Sequence, residues 1–239
     1  IAGKYGVQEF SPASLTFFRF LIASIIIFVI MVKYEKKDWH LKKEDWKVIL
    51  YLGTVGMIGY HVLFFGALKY TTSTNASIIA ALNPIITSVL AAIFASEKLS
   101  GKRIFAILIA LMGVILTITN WDLDILRQMA FNKGDLLMLG AVICWASYSV
   151  VSKKVMSRYS PLILSTYSFI VCTVCLIPFV IWEEITTGFL SSTTWTGWAS
   201  IIYMALFPTL IGYLIQQISF KHIGASRTNI FINLVPVFS

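Results

Sequence analysis

The sequence predicts an all-α integral membrane protein, an inverted-repeat helical bundle with five helices in each repeat. Three features carry this expectation: scarce charge, apolar runs near membrane length, and a set of residues that recurs about 150 positions later. Hydrophobic residues make up 58% of the 239 and charged residues 13%. A soluble globular domain carries roughly 25% charged residues. A water-soluble chain of this length cannot hide so much apolar surface, whereas a bilayer solvates it.

A transmembrane helix needs about 20 mostly apolar residues. Runs of that kind cover Ser14–Val32, Val48–Leu68, Ser73–Ala95, Ile104–Thr119, Asp135–Val151, Leu162–Trp182 and Trp198–Phe220, and another begins near Ala225. The two shortest, Ile104–Thr119 and Asp135–Val151, are expected to extend by a few residues. The runs are continuous and do not alternate in stretches of about ten, so helices are preferred over barrel strands. The connections Lys33–Lys47, Trp121–Gly134 and Glu183–Gly197 are short and polar and leave no room for a soluble domain.

The formal net charge of +8 is a topology signal, because the basic residues are unevenly placed. Fourteen of the 19 Lys and Arg fall in one alternate set of connections, around Lys33–Lys47, Lys98–Arg103, Lys153–Arg158 and Lys221–Arg227. The opposite set holds four, Lys4, Lys69, Arg127 and Lys133, and Arg19 sits inside a span. The first set is therefore assigned to the cytoplasm, and nucleic acid is not an expected partner. Lys36 then faces the cytoplasm and Asp122 the outside. The odd number of cysteines, Cys144, Cys172 and Cys175, all lie in apolar runs and read as small buried residues.

Sliding the chain by 152 places Trp46 on Trp198, Tyr51 on Tyr203, Lys69 on Lys221 and Pro84 on Pro236. A slide of 149 places Lys4 on Lys153 and Ser11-Pro12 on Ser160-Pro161. The matching loops lie on opposite sides by the charge count, so the halves are inverted and each holds an odd number of helices. Five helix starts separate Pro12 from Pro161. Inverted repeats are how many transporters build two oppositely facing states around one site. The expected division is a first repeat over 1–120, an external connection over 121–134 and a second repeat over 135–239.

The pattern Ser11-Pro12…Phe18-Arg19-Phe20, Ala67-Leu68-Lys69-Tyr70…Ala76, Asn83-Pro84, Glu97-Lys98-Leu99-Ser100 and Gly113-Val114 resembles the EamA branch of the drug/metabolite transporter superfamily. Lys153…Ser160-Pro161 resembles the opening of that family's second domain. The resemblance covers essentially the whole chain and implies ten helices in two five-helix domains with both termini cytoplasmic. About eight are expected here, with most of helix 1, part of helix 9 and all of helix 10 missing. The first residue is Ile1, not Met, and the last residues stop inside an apolar run, so both ends read as cut.

Polar groups within a span usually face a cavity or another helix. Asn75 and Asn83 are eight apart and share a helical face, and Pro84 removes a backbone donor beside Asn83. The pair reads either as solute contacts or as an interhelical hydrogen bond with a packing kink. His61, Phe64 and Phe65 share a face and map by the repeat onto Tyr213, Gln216 and Gln217. They read as an aromatic wall opposite a wall of amides, with a satisfied packing role favoured for His61. Gln216 and Gln217 point about 100° apart, so one of them lines a cavity. Trp145 and Tyr148, with Ser149 beside them, stack on a solute or pack on neighbours. Asn229 and Asn233 form the polar pair of the last span. Arg19 reads as a structural clamp, long enough to snorkel to the external interface. Glu97 is expected to pair with Lys102 or Arg103, and Pro84 and Pro236 are repeat-related helix breakers.

No Asp or Glu lies in the middle of a span, and no H-E-x-x-H, G-x-S-x-G or P-loop is present. An enzyme is a poor reading, and no cofactor or metal is expected. The expectation is a multi-pass transporter in a bacterial-type plasma membrane, a monomer or homodimer, moving a small organic solute by alternating access. Export of an amino acid or related metabolite is what the resemblance implies. The alternatives are a non-transporting sensor or interaction protein on the same scaffold and an importer or exchanger of another metabolite.

Overall fold

The computed structural model describes residues 6, 8–35, 40–94, 100–119 and 132–231, apart from the side chains of Ser73, Arg103, Val114 and residues 117–119. In order, the helices are α1 (Pro12–Tyr34), α2 (Lys43–Ala67), α3 (Ser73–Ala80), α4 (Asn83–Phe94), α5 (Gly101–Thr119), α6 (Lys133–Val155), α7 (Pro161–Thr187), α8 (Trp195–Ile223) and α9 (Ala225–Ile230), with a single helical turn, Phe189–Ser192, between α7 and α8. Among the described residues, six helical stretches are long and apolar enough to cross a membrane: α1, α2, Thr74–Phe94, α6, α7 and α8. An all-α membrane fold follows, as the apolar runs predict. The short runs do extend, to Gly101 at the start of α5 and to Lys133 and Val155 at the two ends of α6.

Local chemistry fixes the helix ends. Ser11 and Ser160 cap α1 and α7, accepting from the backbone N–H of Ser14 at 3.1 Å and of Ile163 at 3.2 Å, each with a proline at the next position. Thr72 caps α3 in the same way. At α6, Asn132 and Asp135 cap reciprocally: Asp135 N–H donates to Asn132 Oδ1 and Asn132 N–H to Asp135 Oδ2. α7 stops at Gly188, whose φ of +60° lies in the left-handed region.

The chain forms two compact units that interleave the predicted repeats. Unit 1 is residues 1–62 with 155–218, and unit 2 is residues 63–154 with 219–239. In unit 1, α1 packs along α7. Both α2 and α8 contain a π-helical stretch, Leu52–Gly59 and Ala205–Gly212. α7 packs on the first of these and α1 on the second. The two ends of the α1–α7 pair are fastened alike. Ser11 Oγ donates to Glu183 at 2.7 Å, with Ser14 Oγ on the same carboxylate, and Ser160 Oγ donates to Glu35. At the lysine-rich end, buried Asp45 accepts from Tyr159 Oη at 2.7 Å and from Arg158 at 2.8 Å.

Close approach between helices depends on small residues. A Cβ on Gly53 would lie 2.6 Å from Val171 Cβ of α7. In unit 2, a Cβ on Gly134 would lie 2.6 Å from Thr71 N and 2.8 Å from Ala67 O, so the turn after α2 rests on the start of α6. Ala67, Ala76, Ile79, Met138 and Val142 form a core there, with Phe64 packed against it. Ile104, Phe105, Leu108, Ile109 and Met112 of α5 are exposed. In water such a face would be an aggregation hazard, and in a bilayer it meets lipid tails.

Candidate functional site

Among the described residues, one buried grouping in each unit draws together predicted site residues from distant parts of the sequence.

In unit 1 the centre is aromatic. The π stretch of α2 leads directly into Tyr60 and His61, and that of α8 into Tyr213. His61 Nε2 and Tyr213 Oη share a hydrogen bond of 2.7 Å. Phe20 of α1 lies with its ring centroid 5.2 Å from His61, 5.0 Å from Phe169 and 5.9 Å from Tyr213, and Phe169 lies 5.6 Å from Tyr213. Edge-on ring contacts of this kind add to simple burial. His61 and Tyr213 are 152 residues apart, and Phe20 and Phe169 are 149 apart, the two offsets at which the sequence repeats. His61 is thus held by a hydrogen bond to Tyr213.

Arg19, beside Phe20, is 5% exposed. Its Nε and Nη2 donate to Thr209 Oγ1 in the π stretch of α8, at 3.3 and 2.9 Å. Snorkelling to the interface is therefore corrected: the guanidinium turns inward and clamps α1 to α8. The hydroxyl it meets is one that the sequence did not single out.

In unit 2 the centre is a network of amides and hydroxyls. Asn229 of α9 donates through Nδ2 to Thr87 Oγ1 of α4 at 2.9 Å and to Ser149 Oγ of α6 at 3.1 Å. Thr87 Oγ1 donates to Asn83 Oδ1 at 2.9 Å, and Ser149 Oγ to the carbonyl of Trp145 at 2.9 Å. Asn229 is fully buried, and Asn83 is 5% exposed. Trp145 and Tyr148 lie on the same helix as Ser149, ring centroids 5.6 Å apart, both buried. Asn83 and Asn229, read separately from the sequence, thus meet through Thr87, which sits four residues after Asn83 and is one turn away on the same face.

Asn75 takes a different path. The helix is interrupted at residues 81 and 82, ahead of the buried Pro84, so Asn75 and Asn83 do not share one continuous face. Asn75 Nδ2 lies 3.4 Å from each oxygen of Asp135, which also accepts from Thr71 Oγ1. It fastens α3 to the capped start of α6. Gln217 is fully buried and Gln216 half-buried, so the two amides do point apart. Asn233, Glu97 and Pro236 lie outside the described residues. Among the described residues, no group of three His, Cys, Asp or Glu is placed to hold a metal ion.

A model of the EamA-like transporter family matches residues 1–119 and 132–239. The chain is 34% identical to the uncharacterized transporter YyaM of Bacillus subtilis, over 98% of this chain and 76% of that protein. It is 28% identical to an uncharacterized transporter of Archaeoglobus fulgidus, over 99% of this chain and 80% of the other. It is also 27% identical to the uncharacterized inner membrane transporter YhbE of Escherichia coli, over 100% and 74%. A crystal structure with 18% identity superposes with a TM-score of 0.76, covering 99% of this chain and 78% of the other, a likeness of fold.

Proposed function

The chain belongs to the EamA-like transporter family, and on that premise we propose that it exports an amino acid or related small metabolite by alternating access. It is a multi-pass membrane transporter, and its place is the bacterial plasma membrane. The carrier is non-enzymatic, its substrate a small molecule and its solvent the lipid bilayer.

The observation that carries the reading is the paired contact in unit 1. His61 meets Tyr213, and Phe20 meets Phe169, each pair separated by the offset at which the halves of the sequence match. Two repeats of opposite orientation, 1–120 and 135–239, are the arrangement that brings matching residues together about a shared axis. Such a chain has two states of nearly equal energy, related by exchanging the roles of its halves. His61, Phe64, Trp145, Tyr148, Tyr213, Gln216 and the asparagines Asn75, Asn83, Asn229 and Asn233 are the residues we propose around the solute path.

Flux tests the reading. Full-length protein in liposomes is loaded with a panel of amino acids and related metabolites, and efflux and uptake are followed separately. Saturable movement of at least one amino acid, faster in the outward direction, is expected. No flux across the panel would favour a scaffold or sensor role and overturn the proposal.

A further inference from the structure

We propose that Asn229 Oδ1 is the acceptor of a solute-recognition subsite in unit 2 that takes a primary ammonium or similar N–H donor. The proposal rests on the transporter reading above and extends it to the chemical group that is recognised. Three helices fix the amide. Its Nδ2 donates to Thr87 of α4 and to Ser149 of α6, while the residue itself belongs to α9. Both hydroxyls pass their own protons onward, Thr87 to Asn83 Oδ1 and Ser149 to the Trp145 carbonyl. Every proton on Asn229 Nδ2, Thr87 Oγ1 and Ser149 Oγ is therefore committed inside the protein.

What remains is an acceptor. Asn229 is fully buried, and its Oδ1 has no hydrogen-bond partner among the described residues. Buried polar atoms are satisfied in nearly all structures, so an orphaned one calls for a ligand. Donation by both N–H bonds of an amide draws electron density onto its oxygen, and the onward chain through Thr87 to Asn83 strengthens that polarisation. The group is complementary to a donor, and Asn229, Thr87 and Ser149 offer no free proton to a carboxylate or phosphate. A site built to accept a hydrogen bond also rejects analogues that lack the donor, because its own oxygen is then left empty.

The test uses full-length protein and methylammonium as the probe. Tetramethylammonium carries the same charge with no N–H, and sodium is a bare cation. Methylammonium is expected to raise the melting temperature in detergent and to slow amino-acid counterflow in liposomes, while the other two ions do neither. Asn229→Leu should abolish the response, and Asn229→Asp should lower the half-effective concentration about tenfold, since a carboxylate accepts more strongly. Equal action by tetramethylammonium or sodium, no action by methylammonium, or an undiminished response in folded Asn229→Leu overturns the subsite. If the leucine variant does not fold, the ion comparison on wild type and the aspartate variant decide. Absence of flux for every amino acid would instead overturn the amino-acid reading, while the melting response to methylammonium still judges the subsite.

Discussion

Tyr213 Oη and His61 Nε2 lie 2.7 Å apart, joining residues at matching places in the two halves of the chain. The bond is buried among rings, so its loss is not made good by bulk water. Tyr213→Phe keeps the ring and deletes the hydroxyl. It is expected to destabilise the protein by about 1–3 kcal/mol. His61→Gln should cost a similar amount, and the double variant less than the sum, since the two losses describe one interaction. Thermal unfolding in detergent reads the cycle, and strictly additive losses would show that the contact contributes nothing.

The same bond bears on energy coupling. A proton-driven carrier usually places a carboxylate at mid-membrane, and no Asp or Glu occupies the middle of a span here. His61 is a titratable group at depth, held by Tyr213. Transport is expected either to follow the solute gradient or to be coupled through a group in helices beyond this sequence, with His61→Gln leaving downhill exchange intact. Uphill accumulation under an imposed pH gradient, lost in His61→Gln while exchange survives, would make His61 the coupling residue.

Arg19 and Thr209 make a second test. Thr209 is fully buried and accepts from two nitrogens of the guanidinium. Thr209→Val conserves shape and removes the acceptor, at an expected cost of about 1.5–3 kcal/mol, the range for hydrogen bonds to charged groups. Thr209→Ser should be near neutral in the same melting assay, and a loss as large as that for valine would assign the effect to the methyl group.

Glycines separate packing from helix propensity. Gly134→Ala places a methyl against the backbone of Thr71 and Ala67 and should destabilise by about 1–3 kcal/mol. Gly53→Ala meets Val171 and should behave alike. A Cβ on Gly113 of α5 meets nothing within 4 Å, so Gly113→Ala should stabilise by about 0.5–1 kcal/mol. Comparable melting shifts of the same sign at all three would contradict the packing argument.

Orientation is checked by cysteine labelling. In a background where Cys144, Cys172 and Cys175 are replaced by alanine, Lys36→Cys and Asp122→Cys are treated in intact cells with an impermeant thiol reagent. Position 122 should label and position 36 should not. The reverse pattern would invert the topology drawn from the lysine-rich connections.

Much of the fold is legible in the sequence because apolar length and capping chemistry are local. The Ser-Pro pairs mark the starts of α1 and α7, and Asn83-Pro84 marks the break between α3 and α4. Asn83 and Asn229 are legible as polar groups inside spans. Their meeting through Thr87 is not, since it depends on how α4, α6 and α9 pack. Asn75 is misjudged as a neighbour of Asn83 for a geometric reason: two non-helical residues break the 100° step that would align them. The partner of Arg19 is not legible, because it lies 190 residues away. The interleaving of the predicted repeats between the two units escapes the sequence altogether, because a match between segments does not say which segments pack together.

That separation sets a timetable for the ribosome. Thr209 leaves it 190 residues after Arg19, about 10 to 40 s later at ordinary rates of synthesis. Until α7 and then α8 follow, α1 has neither to lie against, and Ser14, Thr16 and Arg19 are uncovered on a helix otherwise fit for lipid. The nascent helix waits at the insertion machinery or at the bilayer edge with a cation in hand, so α1 is seated only when partners made long after it arrive.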